Sequence, residues 1–201
     1  VYYFYAWAQL SKEEKKNVVF SIPSGNYGNL SAGLIAQRMG LPVKHFLACS
    51  NANDTVPNYL WNGKFEPKPS VATISNAMDV GNPSNFVRML HLFNGRHINM
   101  ANQITGYAYT DESTRKTIQQ TYALTGYVLD PHGAVGYMGL TDYQNSNADT
   151  IGIVLETAHP VKFSETVEKE IGMKVSLPDH IEKTNFKKKS ICFSKAFDDF
   201  K

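Results

Sequence analysis

The feature that most limits how this chain can fold is a glycine- and asparagine-rich turn set between a buried strand and a helix. Val18-Val19-Phe20-Ser21-Ile22 is a short apolar, β-branched run closed by Pro23, which reads as a buried strand. Ser24-Gly25-Asn26-Tyr27-Gly28-Asn29 follows, and Leu30 to Met39 then reads as a helix stopped by Gly40 and Pro42, a glycine cap and a proline that cannot continue it. Val43 to Ala48 is a second strand. Strand, loop, helix and strand at this spacing form a βαβ unit. It predicts an α/β fold, a mostly parallel twisted sheet flanked by helices in three layers.

Further along, Asn53 to Trp61 reads as a short helix and Gly63 to Ser70, with two prolines, as a loop. Pro83 is expected in the first turn of a helix reaching about Phe93. Asp111 to Thr125 is a helix that Asp111 can cap, Gly126 to Leu129 a strand candidate, and His132 to Gly139 a short helix. Ile151 to Leu155 is a buried strand and Val161 to Glu170 a helix. With 201 residues, at roughly 100–200 per domain, no repeat and no linker, the expectation is one α/β domain over residues 1–201.

Composition removes several function classes. No apolar run approaches the roughly 18–20 residues of a membrane span. A formal net charge of +2 argues against a dedicated nucleic-acid surface, and Lys187-Lys188-Lys189 reads as a solvated tail. Cys49 and Cys192 stand far apart with no CxxC, which speaks against a disulfide scaffold or zinc site and favours a reducing, cytoplasmic setting. His45, His91, His97, His132, His159 and His180 show no metal-ligand spacing, so no metal is expected. Val-Tyr-Tyr-Phe-Tyr-Ala-Trp-Ala-Gln-Leu opens the chain without an N-cap or basic leader. It reads as the buried second half of a helix that begins outside this sequence.

Four segments carry candidate chemistry. In Gly25, Asn26, Tyr27, Gly28 and Asn29, glycine and asparagine tolerate left-handed backbone and let successive N–H groups converge, and a helix N-terminus suits a phosphate. An ordinary tight βα turn explains the segment equally well. The pattern is neither GxGxxG nor GxxxxGK[ST], so dinucleotide and P-loop chemistry are poorly supported. Thr157, just after the fourth segment of strand pattern, sits where open α/β sheets bind ligands, and its hydroxyl can meet a heteroaromatic nitrogen; alternatively Thr157 caps the next helix and His159 is structural. Ser84, Asn85 and Arg88 can hold a phosphate or carboxylate, or Asp79 or Ser84 caps a helix while Arg88 pairs with a surface acid. Asp130, in Asp130-Pro131-His132, reads more simply as a helix cap than as a catalyst.

Taken in order, these segments resemble the threonine synthase family, pyridoxal-phosphate enzymes of fold type II. Pro23-Ser-Gly25-Asn-Tyr-Gly-Asn29 is similar to the family's GNxGN phosphate loop. Thr73-Ile-Ser-Asn-Ala-Met-Asp79 with Pro83-Ser-Asn-Phe86, Asp130-Pro-His132 and Thr157-Ala-His-Pro160-Val-Lys-Phe163 are similar to its other signatures. The resemblance implies the large cofactor domain of such an enzyme, acting on O-phospho-L-homoserine and water to give L-threonine and phosphate. By the same resemblance Gly25 to Asn29 hold the cofactor phosphate and Thr157 the pyridine nitrogen, while Ser84, Asn85 and Arg88 are assigned to substrate contact. The family's Schiff-base lysine precedes the phosphate loop. Lys12, Lys15 and Lys16 sit in a hydrophilic turn where nothing desolvates them, so that lysine is expected upstream of Val1, this chain being a C-terminal portion that does not catalyse alone. A threonine or serine dehydratase, or a non-catalytic module binding another phosphate ligand, are the alternatives.

Overall fold

A computed structural model describes residues 1–178 together with 192, 194 and 196–200; Lys187–Lys189 and His180 lie outside the described residues. Four parallel strands, β1 (Val18–Pro23), β2 (His45–Ser50), β3 (Ile104–Ala108) and β4 (Ile151–Val154), form one sheet in the order β3-β2-β1-β4. The helices are α1 (Tyr2–Ala8), α2 (Gly28–Arg38), α3 (Thr55–Asn62), α4 (Phe86–Leu92), α5 (His97–Gln103), α6 (Asp111–Thr125), α7 (Pro131–Gln144) and α8 (Ser164–Ile171).

The central strand β1 is buried on both faces, as an unbroken apolar run in a covered parallel sheet requires. Its alternation sorts the core into two layers. Val18, Phe20 and Ile22 join Tyr3, Leu30, Leu34 and Phe46 on the side of α1 and α2. Val19 joins Leu47, Cys49, Val135 and Leu140 on the side of α7. The α7 helix lies close because its glycines leave no Cβ in the way: a Cβ at Gly136 would meet Val154 at 3.0 Å and Pro23 at 3.1 Å. Ser21, the polar residue of β1, donates from its hydroxyl to the Gly136 carbonyl at 2.6 Å, so its burial leaves nothing unpaired.

Several expectations are corrected. Pro83 stands before α4 rather than in its first turn, the N-cap being Asn85 without a side-chain bond. The cap of α6 is Thr110, whose hydroxyl accepts from the Ser113 N–H; Asp111 instead accepts from the Ile74 N–H at 3.3 Å. Gly126–Leu129 pairs with no strand: Gly126 ends α6 in the left-handed region and the segment is a connection whose Leu129 packs on Ile118, Ala134 and Val167. The third strand, β3, comes instead from Ile104-Thr-Gly-Tyr-Ala108, directly after α5. α7 is longer than the expected His132–Gly139: Asp130 caps it with Pro131 in its first turn, and it continues to Gln144 before ending at Asn145. β4 is half-buried along its length, an edge strand rather than a buried one. In α1 only Tyr3 is buried; Tyr2 is 79% and Tyr5 68% exposed.

Phe20 is fully buried with its ring 4.9 Å from that of Tyr3 and 6.4 Å from that of Phe46. Replacing Phe20 by Ala is expected to cost about 3–5 kcal/mol in urea unfolding. The control Leu124→Ala, at an 84% exposed position, should stay within about 0.5 kcal/mol.

Candidate functional site

The turn from β1 to α2 is held from below by β2. The Ser24 N–H donates to Cys49 O at 2.8 Å, the Ser50 hydroxyl donates to Ser24 O at 3.1 Å, and Tyr27 OH meets Ser50 Oγ at 2.5 Å. Tyr27 is the N-cap of α2 and is left-handed, with φ 61°. The left-handed residue is therefore neither a glycine nor an asparagine. A non-glycine residue in this region is strained, and the buried ring with its bonded hydroxyl holds it there; burial also pushes the phenol pKa up. Gly25 serves a different end: a Cβ there would stand 2.5 Å from Met78 Cα and 3.0 Å from Ala77 O. It lets the turn lie directly on the Ala77–Met78 backbone.

The first backbone bond of α2 runs from Ser31 N to Tyr27 O at 2.9 Å. The N–H groups of Gly28, Asn29 and Leu30 have no acceptor within the helix, and they sit at the positive end of its dipole. Gly28 and Asn29 line a cavity of about 280 Å³ walled by Pro23 to Asn29, Ala77 and Met78, together with His132, Thr157, Ala158, Lys162 and Phe163. This cavity lies at the carboxyl ends of β1 and β4, where open α/β sheets bind ligands.

Thr157 lies three residues beyond β4, and among the described residues its hydroxyl has no hydrogen-bond partner. It does not cap the next turn; His159 does, its Nδ1 accepting from Val161 N at 3.2 Å. Ser84 and Asn85 come to the same turn from outside the cavity. The Ser84 N–H and hydroxyl both donate to Asn26 Oδ1, at 2.6 and 3.0 Å, and the Asn85 amide lies beside Gly28. Arg88 donates to Asn85 Oδ1 at 3.0 Å and is exposed. None of these three lines the cavity. Asp79 caps no helix; its carboxylate gathers Asn51, Asn53 and Thr73 into a polar network under the 73–79 loop.

Three residues enter the site that were not marked as candidates. Lys162 lines the cavity as an exposed cation with no ion-pair partner among the described residues. His132 is 2% exposed; its Nδ1 lies 2.6 Å from Asp130 Oδ1, and its Nε2 is buried with no partner. Asp130, fully buried, also accepts from the N–H groups of His132 and Gly133. Burial raises its pKa, but the bonds from His132 and Glu156 outweigh that and hold it below the ordinary carboxylate value. Glu156 lies on the exposed edge beyond β4, yet its carboxyl presses on Gly133, where a Cβ would stand 2.5 Å from Cδ. Burial, then the hydrogen bond and charge of Asp130, push its pKa from 4.5 to about 8. Asp130 thus carries the charge and Glu156 the proton near neutral pH. The spacing of Asp130 and His132 around Pro131 at a helix start was the one available signal; nothing in sequence joins Glu156 to them.

A turn of free N–H groups at a helix start and a strand-end hydroxyl thus share one cavity at the carboxyl edge of a parallel α/β sheet. The family description "Threonine synthase, C-terminal" matches residues 133–196. Threonine synthase from Haemophilus influenzae is 48% identical over 92% of this chain and 42% of its own length. The crystal structure of threonine synthase from Escherichia coli superimposes with a TM-score of 0.83 at 45% identity, over 90% of this chain and 41% of that one. PLP-bound threonine synthase from Brucella melitensis gives 0.84 at 29%, over 90% and 43%. A tomato threonine deaminase, at 15% identity and a TM-score of 0.60, shares the fold alone. What this chain matches, in sequence and in fold, is the carboxy-terminal part of threonine synthases, spanning less than half the length of the relatives named here.

Two outcomes follow from this geometry. Gly25→Ala forces the turn away from Met78, at a cost of about 1–3 kcal/mol in urea unfolding. Glu156 binds its proton more tightly folded than unfolded, so its contribution to stability is fully present below pH 4.5 and is lost as pH rises through about 8. Glu156→Gln should therefore gain in urea midpoint relative to the parent as pH rises across that window; a pH-independent difference would contradict the assignment.

Proposed function

We propose that the cavity is the cofactor site of a threonine synthase, which converts O-phospho-L-homoserine and water to L-threonine and phosphate with pyridoxal 5'-phosphate as cofactor. The observation that carries this reading is the Gly25–Asn29 turn facing Thr157 across one cavity, in a chain 45–48% identical to threonine synthases. The residues present suit the cofactor. A phosphate monoester needs converging N–H donors and positive potential, which the turn, the start of α2 and Lys162 supply. A pyridine nitrogen needs a partner that does not fix a charge on it, which the free Thr157 hydroxyl supplies. The buried, partnerless His132 Nε2 marks a wall built to meet a polar ligand.

In this reading the backbone N–H groups of Gly25, Asn26, Tyr27, Gly28 and Asn29 would hold the cofactor phosphate. Thr157 sets the ring's far end and leaves its nitrogen uncharged. Ser84 braces Asn26, and Asn85 and Arg88 continue that wall outward for the substrate. The bound cofactor supplies an electron sink for carbanionic chemistry at the amino acid. The chain acts as one α/β unit in the cytoplasm, and the lysine that holds the cofactor covalently is contributed by a segment outside these 201 residues. Lys162 is the one lysine lining the cavity among the described residues, and it is assigned to charge rather than to imine formation.

The test is an absorbance spectrum of the full-length protein with pyridoxal phosphate, followed by borohydride reduction and mapping of the modified peptide. The expected result is an imine band near ~410–420 nm and a trapped lysine outside residues 1–201. Trapping on Lys162 would contradict the assignment of that residue. No band would contradict the cofactor itself.

A further inference from the structure

We infer that His132 is a phosphate ligand of this cavity, its Nε2 donating to a phosphate-monoester oxygen as an imidazolium whose counter-ion is Asp130. The inference rests on the cavity being a phosphate site, as proposed above, and adds to the backbone turn a titratable contact on the opposite wall.

The geometry is specific. His132 stands in the first turn of α7 and lines the same cavity as the Gly25–Asn29 turn. Asp130 Oδ1 accepts from Nδ1 at 2.6 Å and from the His132 N–H at 2.8 Å, and Oδ2 accepts from the Gly133 N–H. These bonds pin both the carboxylate and the ring, and they keep the first ring proton on Nδ1. All the remaining hydrogen-bonding capacity of the ring is then at Nε2, which is buried and has no partner. A buried polar atom left unpaired is costly, and a ligand that supplies the missing bond recovers that cost on binding.

The surrounding charges decide which form of the ring the ligand meets. The titratable and charged groups around His132 are Asp130 on α7, Glu156 and Tyr127 on the two connections beside it, and Lys162 and His159 on the turn before α8. The turn after β1 brings only Tyr27, whose hydroxyl is turned away to Ser50. The pKa of Glu156 is pushed up to about 8 while that of Asp130 is held low, so near neutrality the pair carries one negative charge. One imidazolium balances it. A neutral ring would present a lone pair to a phosphate oxygen, which repels it; the bound ring therefore takes up a proton from solvent, and a charge-assisted bond results.

The test uses the full-length protein, with His132→Gln retaining a neutral donor and His132→Phe removing it. Binding of pyridoxal phosphate, of pyridoxal without its phosphate, and of inorganic phosphate is measured from about pH 6 to 9, in two buffers of different ionisation enthalpy. The parent should take up protons as pyridoxal phosphate or inorganic phosphate binds. His132→Phe should weaken that binding about tenfold or more, His132→Gln by less, and both should abolish the pH dependence while leaving pyridoxal unchanged. If pyridoxal phosphate is unaffected but inorganic phosphate inhibits the holoenzyme less well, the phosphate contacted is the substrate's and the inference stands. If neither changes, it is overturned. Because a buried ring can be needed for folding, the parent labelled with 15N at histidine gives a second readout: the His132 Nε2 resonance must become that of a protonated nitrogen when inorganic phosphate is added, and one that stays unprotonated overturns the inference. Failure of the protein to bind pyridoxal phosphate at all would remove the cofactor reading alone, since the inorganic phosphate titration still decides the role of His132.

Discussion

The arrangement of this site depends on Tyr27, a bulky residue held in a left-handed conformation between β1 and α2. Its hydroxyl bond to Ser50 ties the turn to β2, and Ser50 in turn bonds to Ser24. The strain at Tyr27 persists because its ring is buried in the core and its hydroxyl is bonded to Ser50. From it follow the direction in which α2 leaves the sheet, the outward aim of its first N–H groups, and the contact of Gly25 with Met78. A simple glycine at position 27 would relieve the strain and lose the anchor.

The two walls of the cavity are built by different physics. The β1–α2 wall is backbone, with donors fixed by chain geometry and independent of pH. The facing wall is made of side chains from α7 and the connection after β4: a histidine whose Nδ1 is held by the buried Asp130 behind it, a free hydroxyl and a lysine with no ion-pair partner among the described residues. Glycines in α7 bring this wall near, Gly136 lying on Val154 and Pro23 and Gly133 on Glu156. Close packing of α7 on the sheet is thus what turns two separate strand ends into one cavity. The fully buried Asp130 serves the fold as the cap of α7 and the site as the partner of His132.

Much of this was legible in the chain. β1, α2 and β2 follow from local pattern because the strand is apolar throughout and the helix ends at Gly40, whose φ of +103° suits only glycine. The β1–α2 turn was visible as a concentration of glycine and asparagine, but which residue turns left-handed was not, since Tyr27 is kept there by a contact with β2. β3 escaped notice because Gly106 interrupts a five-residue strand that starts where α5 stops; that glycine lets α3 approach, a Cβ there falling 2.7 Å from Pro57 Cα. Gly126–Leu129 has strand-like residues, and it is the burial of Leu129 against α6 and α8, not strand pairing, that explains them. The partnership of Glu156 with Asp130 and His132 is a tertiary contact across the edge of the sheet, and no local spacing encodes it.

The central claim is that the N–H groups of the Gly25–Asn29 turn, faced by Thr157, hold a phosphate-bearing heteroaromatic ligand. The most direct test is a crystal structure of the full-length protein grown with pyridoxal phosphate. Phosphate oxygens are expected within about 2.7–3.2 Å of those N–H groups and the ring nitrogen at the Thr157 hydroxyl. A phosphate bound elsewhere, with this turn facing only solvent, would contradict it.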